Sequence, residues 1–490
     1  MTVRGNNATP PSPAIAPGAE QIDPAAFAAE LGRRTGGLGL DARIGALVPA
    51  WGASGGPFFQ AGLAGYSDAA MRIVARRQGC PFCVTEALLD RALLAGGRGF
   101  DKADLESLRD NIPGGDEDHP TAGQIIGSDP DEMAAAALKM IEQAARADRE
   151  YREMAYGRGG FPRSTHVSDL EHPSCGEERD EGTVGRRHEA AEARRHVGQV
   201  NGAGARSGSV TSCLRASVPS SLPYRTFAVI DVNLACPVKK IKSKARGGHW
   251  LAEPHGAIEI LRAVRAAVPP EIPCTVKLRR AYDDTPEMAR NFEIIFNAAY
   301  ELGYAWTTVH ARTVEQKYIG PSRWPFLKDL TARHPDKLIF GSGDIWTAAD
   351  IFRMLAYTGV HAVSVARGCI GNPWIFRQAR QMLAGQPPLP PTIAEQRRVL
   401  EDHFTISASL NGEHLAGRMM RKFGIRFAAH HPRAEEVRQR MIAVASIADW
   451  RAVLDEFYTP DADCDPEPRA SASGSEATLP SFAPSALQAQ

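Results

Sequence analysis

The segment FAVIDVNLACPVKK, residues 227–240, combines an apolar strand with a chemically reactive end. Residues 227–230 are continuously apolar, which is typical of a strand covered on both faces. The amide of Asn233 and the thiol of Cys236 follow directly. Because parallel strands present their functional groups where they end, the segment predicts a site at the carboxyl end of this strand. The two lysines just beyond the thiol favour a ligand that carries phosphates.

Eight short apolar runs of this kind alternate with amphipathic stretches along the middle of the chain. The runs are typical of buried parallel strands, and the stretches between them have helical periodicity. Because right-handed crossovers join such units, eight of them predict an α/β fold, a closed (β/α)8 TIM barrel. A doubly wound open sheet is the alternative, but its Gly-rich first turn does not follow the first run. The runs are 58–63, 83–88, 123–126, 228–234, 275–278, 306–309, 338–340 and 362–365.

Composition divides the remaining sequence. The start of the chain is rich in Ala, Pro and Gly and predicts a disordered leader, apart from a short helical pattern near 24–31. A long polar interval interrupts the barrel and predicts a largely disordered surface insertion. After a proline cluster, helical periodicity without strand-like alternation predicts a small all-α domain. The division is 1–50 disordered leader, 51–385 barrel with insertion 147–224, 393–459 helical domain and 460–490 disordered tail.

Charge is balanced overall but not locally. With 57 basic and 57 acidic side chains the formal net charge is zero, so any nucleic-acid-binding surface must be local. The predicted helical domain contains such an excess, because only two glutamates oppose its cluster of basic side chains. This cluster predicts a phosphate-facing surface, with a solvated helix face as the alternative. The basic residues are Arg418, Arg421, Lys422, Arg426, Arg433, Arg438 and Arg440.

The eight cysteines follow no disulfide framework, which favours a reducing cytoplasm. Cys80 and Cys83 form one C-x-x-C pair, interpreted as two partly buried thiols rather than a zinc or redox site, and no metal site is predicted. The first 25 residues lack a secretory signal, and no run approaches the roughly 20 apolar residues that cross a bilayer. A cytoplasmic protein is expected, with no membrane association and no stable protein partner implied.

The ends of the predicted strands carry groups that suit a flavin. Ala61 and Gly62 near the end of the first run are small enough for a flat ring to lie against the backbone. Glycines after the seventh and eighth runs match the usual phosphate site of the barrel. A lysine, Lys277, and the thiol of Cys236 face the same predicted rim. Each residue alone has an ordinary structural explanation, but their shared position favours an enzyme that binds flavin mononucleotide (FMN).

This set of motifs resembles the tRNA-dihydrouridine synthase family. The matching segments span roughly residues 57–380, and the basic helical segment lies where that family has its RNA-binding domain. The block around Cys236 is the most specific of them. The segments are LAGYSD (63–68), VTE (84–86), QIIGSDP (124–130), DVNLACPVKK (231–240), TVKLR (275–279), VHARTVEQ (309–316), GSGDI (341–345) and ARGCIGNPWIF (366–376).

The resemblance implies an FMN-dependent oxidoreductase that reduces the C5=C6 bond of a uridine in tRNA, with NADPH or NADH as the reductant. It implies that Cys236 donates the proton and that Asn233 lies between flavin and substrate. The implied cofactor contacts are Ala61, Gly62, Gln124, Asn233, Lys277, His310, Gly343, Asp344, Arg367 and Gly368. The implied tRNA contacts are Asn233, Lys239, Arg279, Arg312, Arg421, Lys422 and Arg426.

The chemistry of a thiol supports the acid role independently. Its ordinary pKa of about 8.5 keeps it protonated near neutral pH, as a proton donor requires. One departure from the family pattern is the bulky pair His249 and Trp250, which leaves the choice of target base open. Two alternatives remain: an FMN-dependent oxidoreductase of a free pyrimidine or other small molecule, and a non-catalytic RNA-binding protein on a barrel scaffold. The basic helical segment disfavours the first, and Cys236 disfavours the second.

Overall fold

The computed structural model describes residues 18–94, 116–142, 226–237 and 247–459. The predicted insertion and tail, and Lys239, lie outside the described residues. The described strands pair only in parallel. They are β1 (Phe58–Gln60), β2 (Cys83–Val84), β3 (Leu88–Leu89), β4 (Thr121–Ile126), β5 (Val229–Leu234), β6 (Cys274–Arg279), β7 (Trp306–His310), β8 (Ile339–Ser342) and β9 (Ala362–Val365).

The sheet closes into a barrel. Its strand order is β2-β1-β9-β8-β7-β6-β5-β4-β3, and β2 pairs with β4 as well as with β1. On β1, Gln60 is in register with Cys83 on one side and with Val365 on the other. The short β3 pairs with β4 beyond β2 and so lengthens the second strand position. Eight strand positions surrounded by helices confirm the predicted TIM barrel.

Helices follow most of the strands and cover the outside of the barrel. Several begin with proline in the first turn, where the missing N–H costs no hydrogen bond. They are α1 (Pro24–Arg34), α2 (Ala42–Leu47), α3 (Pro49–Ser54), α4 (Ala69–Arg77), α5 (Asp90–Leu94), α6 (130–142 within the described residues), α7 (Pro254–Ala267), α8 (Pro286–Glu301), α9 (Trp324–Arg333), α10 (Ala348–Thr358), α11 (Trp374–Leu383), α12 (Ile393–Asn411), α13 (Glu413–Phe427), α14 (Ala434–Ala443) and α15 (Ile447–Phe457).

The beginning of the described chain differs from the predicted disordered leader. Residues 18–50 contain α1, α2 and the start of α3, and α1 packs against α10 and α11. On α3, the buried ring of Trp51 stacks on Phe82 with centroids 4.6 Å apart. It also meets Phe59 and Phe340 edge to face, so α3 closes the amino-terminal end of the barrel. The helical pattern predicted near 24–31 corresponds to α1, whereas composition does not show that Ile44 and Val48 are buried.

The carboxyl-terminal helices form the predicted all-α unit and pack against the barrel. Leu410 of α12 contacts Ala69 and Ala70 at the start of α4. Arg77 of α4 is 3.2 Å from Asp402 of α12 in an exposed ion pair. One cluster of buried apolar side chains continues from the barrel into these helices, so the unit is docked rather than loosely tethered. Among the described helices, none combines the length and apolar character that crossing a bilayer requires.

Candidate active site

The aromatic rings around Trp51 fill the amino-terminal end of the barrel interior. Towards the carboxyl ends of the strands, polar side chains replace the apolar ones. The register places Gln124 of β4 beside Asp231 of β5, and Asp231 beside Thr275 of β6. One layer higher, Asn233 is level with Lys277. Because residues two apart on a strand share a face, both layers point into the same cavity. That cavity is lined by Phe59, Ala61, Gly62, Phe82, Val84, Ala122, Gln124, Asp231, Thr275, Lys277, Trp306, Thr308 and Ser364.

A continuous chain of hydrogen bonds connects the deeper layer with the thiol-bearing turn. Asp231 accepts from the Thr275 hydroxyl at 2.7 Å and from Nε2 of Gln124 at 2.7 Å. Oε1 of Gln124 accepts from Nδ2 of Asn233 at 2.8 Å. Oδ1 of Asn233 then accepts from the backbone N–H groups of Ala235 and Cys236, both at 3.0 Å. The turn after β5 is therefore fastened to the floor of the cavity.

Cys236 is held on its outer side by two glycines. Its carbonyl accepts a hydrogen bond from the N–H of Gly248 at 2.9 Å. Gly247 has φ of 48°, and a Cβ there would lie 3.1 Å from the Cys236 Cβ, so the close approach requires glycine. The side chain of Cys236 is partly exposed, whereas Cys80, Cys83, Cys274 and Cys369 are buried. Among the described cysteines, Cys236 is the one that a ligand in solution reaches.

Lys277 brings a positive charge into the cavity. It is partly buried, and its ammonium makes no hydrogen bond or ion pair within the described residues. Burial lowers the pKa of Lys277, and the neighbouring Asp231 carboxylate opposes that shift. Burial also raises the pKa of Asp231, against hydrogen bonds from Thr275 and Gln124 that lower it. A lysine with an uncommitted ammonium suits a ligand with an electron-rich edge.

His310 at the end of β7 is a neutral hydrogen-bond donor. Its Nδ1 accepts from the backbone N–H of Arg312 at 3.2 Å, so the neutral ring carries its proton on Nε2. Burial, together with the charges of Arg279, Arg312 and Lys277, holds the pKa of His310 well below its usual value. The ring therefore stays uncharged at neutral pH.

The ends of β8 and β9 form a cradle of backbone N–H groups. Gly343 has φ of 118° and Asp344 φ of 57°, both in the left-handed region. Within the described residues, the N–H groups of Gly343, Asp344 and Gly368 form no hydrogen bond. A Cβ on Gly368 would collide with the carbonyl of Ile345, so the two turns approach too closely for any side chain. Successive free N–H groups in such a turn form an anion-binding concavity.

Arg367 stands over this cradle. Its guanidinium lies 5.0 Å from the ring centroid of Tyr318 and 4.9 Å from that of Trp346, so two rings hold it in place. Burial and the charge of Arg312 lower the pKa of Arg367 from its usual value. The carboxylate of Asp344 accepts from Arg312 and from the N–H of Ser322, and the Arg367 guanidinium lies 3.9 Å from it. Asp344 thus offers a ligand its backbone N–H and not its side chain.

Comparison with known proteins identifies the family. A probable tRNA-dihydrouridine synthase from Treponema pallidum is 33% identical over 231 residues, which cover 46% of this chain and 67% of that protein. The chain belongs to the tRNA-dihydrouridine synthase family. The family model described as Dihydrouridine synthase (Dus) matches residues 222–460. A tRNA-dihydrouridine synthase B from Shewanella oneidensis is 35% identical over 204 residues, 41% of this chain and 59% of that protein.

These alignments cover only part of this chain and only part of each relative. It spans 58% of a probable tRNA-dihydrouridine synthase from Mycobacterium tuberculosis, 31% identical over 231 residues. Among solved structures, a histamine dehydrogenase from Rhizobium sp. 4-9 has a TM-score of 0.37 with 10% identity over 71% of this chain and 49% of that chain, too distant to inform the assignment. The family model begins at residue 222 and therefore does not cover β1 to β4. Their position at the site follows from the strand pairing of the barrel.

The described groups of this dihydrouridine synthase family member fit FMN. Lys277, Nε2 of His310 and one N–H each of Gln124 and Asn233 are uncommitted donors within the described residues, and a flavin's pyrimidine edge is rich in acceptors. The buried hydroxyls of Ser342 and Ser364 also lack a partner there. A buried polar group without a partner is costly, so a polar ligand accounts for them. Gly62 also lines the cavity, and the position requires glycine because a Cβ there would collide with the Thr85 carbonyl.

Two arginines expected at the RNA are placed inside the protein. Arg279 is buried and donates to the carbonyls of Ala235, Thr313 and Lys317 at 2.7–2.9 Å. Arg312 is buried and donates to Gly320 and to both carboxylate oxygens of Asp344. Burial lowers the pKa of Arg279 to about 10. These placements favour a role in holding the loops around the cavity over direct contact with RNA.

The basic cluster of the helical domain separates into exposed and engaged side chains. Arg418 and Arg421 are exposed on α13 and form no ion pair within the described residues. Lys422 instead donates to the carbonyl of Gly65 and lies 4.9 Å from the Tyr66 ring centroid, on the loop after β1. Arg426 is partly buried where α13 crosses Gly371. The remaining three are ion-paired: Arg433 with Glu436, Arg438 with Glu435 and Arg440 with Glu456.

The two cysteines of the C-x-x-C pair and the two bulky loop residues, His249 and Trp250, are all buried. The sulfurs of Cys80 and Cys83 are 3.9 Å apart and buried. Within the described residues no cluster of three metal-binding side chains occurs. Trp250 is buried against Gly256, where a Cβ would collide with its ring, and donates to the Gly127 carbonyl at 3.2 Å. The small residue at 256 thus accommodates the large one at 250.

Sequence reasoning missed Asp231 and Thr275 as members of the site. The signal for Asp231 was available, because it precedes Asn233 by two residues and so shares its face of β5. Thr275 carries no such signal, since threonine is common in strands of every kind. Tyr318 and Trp346, which hold Arg367, also become site residues only through the fold.

Proposed function

We propose that this protein is an FMN-dependent tRNA-dihydrouridine synthase that reduces the C5=C6 bond of a uridine in tRNA, with NADPH or NADH as the reductant. One observation carries the proposal: the partly exposed thiol of Cys236 follows β5, and the donors of Lys277 on β6 and His310 on β7 lie near the carboxyl ends of the two neighbouring strands. Family membership supports it. The cysteine pattern favours the reducing cytoplasm as the place of reaction.

The chain would hold FMN at two places. Gln124, Lys277 and His310 would donate to the polar edge of the ring, while Ala61 and Gly62 provide the flat wall. The N–H groups of Gly343, Asp344 and Gly368, with Arg367, would hold the phosphate. When bound, FMN supplies the hydride for the reduction. The positive charge of Lys277 would stabilise negative charge on the ring, and its partial burial would strengthen that interaction.

Cys236 supplies the proton. Saturating a C=C bond requires a proton as well as a hydride, and a neutral thiol is an acid of suitable strength near pH 7. The hydrogen bonds from the Cys236 N–H to Asn233 and from the Gly248 N–H to the Cys236 carbonyl fix the backbone on either side of Cα, which orients the thiol. A nucleophilic thiol would first have to lose its proton to a base, whereas this reduction consumes that proton. We therefore assign Cys236 as an acid and not as a nucleophile.

The substrate has to leave its stack to reach this cavity. A base inside folded RNA is inaccessible to groups at the barrel mouth, so the target uridine must be flipped out. Arg418 and Arg421 are exposed and form no ion pair within the described residues, and guanidinium groups of this kind bind backbone phosphates without reading sequence. The docked helical domain would hold the tRNA while the barrel receives one base.

The test is dihydrouridine formation in tRNA that lacks the modification, measured by mass spectrometry with flavin-loaded protein and NADPH. We expect product with wild type and almost none with Cys236→Ala, at unchanged flavin content and tRNA affinity. Cys80→Ala, at a buried cysteine in the loop before β2, is the matched control and should retain turnover. Full turnover by Cys236→Ala would refute the acid role, and turnover of free uridine but not tRNA would refute the substrate.

A further inference from the structure

The buried carboxylate of Asp231 has no part in the proposed chemistry, yet the hydrogen-bond chain of the cavity floor begins at it. An ionised carboxylate only accepts hydrogen bonds. The Gln124 side chain must therefore turn Nε2 towards Asp231, which leaves Oε1 facing Asn233. Asn233 must in turn present Nδ2 to Gln124, which leaves Oδ1 for the N–H groups of Ala235 and Cys236.

The direction of this chain matters because each amide has a donor end and an acceptor end of the same shape. If Gln124 were turned over, its oxygen would face the Asp231 oxygen. If only Asn233 were turned over, its Nδ2 would face the two backbone N–H groups and its oxygen would face Oε1. Both arrangements place like groups in contact inside a buried cavity. The carboxylate at one end of the chain and the two backbone N–H groups at the other thus favour the same orientation of both amides.

We propose that Asp231 is a positioning residue that anchors the amides of Gln124 and Asn233 from the cavity floor and thereby holds the turn that carries Cys236. The consequence for catalysis rests on the proposed function, whereas the positioning itself does not. The same orientation leaves one N–H on each amide for a cavity ligand. By anchoring these amides, Asp231 keeps their second N–H groups available as hydrogen-bond donors to that ligand.

Thr275 makes the proposal testable, since a hydroxyl can both donate and accept. In Asp231→Asn, the new amide can keep its oxygen towards Gln124 and donate its Nδ2 to Thr275, so the direction survives. In Thr275→Val, the carboxylate remains and the direction also survives. When both changes are combined, valine cannot accept. If the introduced amide faces its oxygen towards Gln124, its buried N–H groups lose their partner, and if it is turned over, its Nδ2 faces Nε2 of Gln124. We therefore expect two nearly silent single variants and a damaging pair.

The measurement is the rate at which iodoacetamide alkylates Cys236 in the full-length, flavin-loaded protein, followed on the Cys236 peptide by mass spectrometry. We expect Asp231→Asn and Thr275→Val to stay within about twofold of wild type, and the double variant to differ by about tenfold, as the loss of one buried hydrogen bond allows. Asp231→Leu should match the double variant. Retained flavin per protein should fall in the same two proteins.

Buried Cys80 serves as the internal control, because its labelling reports general unfolding. If Asp231→Leu fails to fold, the comparison of Asp231→Asn with the double variant decides the matter. The proposal would be overturned if Cys236 were alkylated at equal rates in wild type and the double variant. It would also be overturned if the effect of the double variant on that rate were only the sum of the two single effects. Absence of dihydrouridine from wild-type reactions, with the alkylation pattern as expected, would instead overturn the proposed function alone.

Discussion

The guanidinium of Arg312 holds both carboxylate oxygens of Asp344 at 2.7 Å, and the two side chains are 2% and 10% exposed. Arg312 also donates to the carbonyl of Gly320 on the loop after β7. The pair therefore joins this loop to the turn after β8. Because Asp344 also accepts from the N–H of Ser322, its carboxylate fixes the turn whose N–H groups form the proposed phosphate cradle.

Arg312→Met should destabilise the fold and loosen flavin binding. Removing one partner of a buried ion pair leaves the other charge uncompensated, which costs about 3–5 kcal/mol. Urea unfolding measures the loss, and flavin retained after gel filtration measures the second effect. Arg323→Met is the control, since its pair with Asp284 is about half exposed and such pairs contribute about 0–1 kcal/mol. Equal losses in the two variants would contradict the structural role of Arg312.

Trp51→Ala should cost about 3–5 kcal/mol of unfolding free energy, as large-to-small changes in cores do. The ring of Trp51 closes the amino-terminal end of the barrel against Phe82, Phe59 and Phe340. Leu38→Ala, at a 42% exposed position of the same segment, is the control and should be nearly neutral. The denaturation midpoint in urea distinguishes them. A neutral Trp51→Ala would contradict the closing role of this ring.

Charge reversal of Arg418 and Arg421 should weaken tRNA binding. Each phosphate contact that is lost lowers the slope of log affinity against log salt by about 1. Titration of tRNA at several salt concentrations measures both quantities. Arg433→Glu is the matched control, because Arg433 is paired with Glu436 at 2.6 Å. If all three reversals had the same effect, binding would depend on overall charge and not on this face of α13.

Lys422→Met tests whether this residue of the same helix contacts the barrel and not RNA. Lys422 contacts Gly65 and Tyr66 of the barrel, so its removal should loosen the loop after β1. We expect a lower flavin content, with the salt slope of tRNA binding unchanged. A reduced slope with normal flavin content would show that this lysine faces RNA.

His403→Leu should reduce the loss of unfolding free energy that occurs as the pH falls below 7. Burial lowers the pKa of His403 from 6.5 to about 3, and its ring lies 4.4 Å from that of Phe423. Above pH 6.5 the residue is neutral in both states and contributes no pH dependence. Below it the unfolded chain binds a proton that the native state does not, which costs about 1.4 kcal/mol per pH unit until the native pKa is reached. Urea unfolding at about pH 7 and about pH 5 should show a smaller drop in the variant.

Much of the barrel was predictable from residues alone. The eight apolar runs became the eight strand positions because burial on both faces leaves a continuous signal. Cys236, Asn233 and Lys277 were predicted at one rim because parallel strands end at the same side. Within residues 18–50 the helical pattern near 24–31 corresponds to α1, but the order of the remainder was not predicted, since composition does not show that Ile44 and Val48 are buried.

By itself the sequence determined the architecture and the chemical groups at the mouth, since both follow from local periodicity and from which residues end each strand. Only the tertiary structure decided how those groups are used. It turned Arg279 and Arg312 inward to backbone carbonyls and Asp344, and it assigned Lys422 to the barrel rather than to open solvent. It also joined Asp231 to Cys236 through Gln124, a residue more than a hundred positions away. Hydrogen-bond direction depends on which groups meet across strands, and no stretch of one strand contains that information.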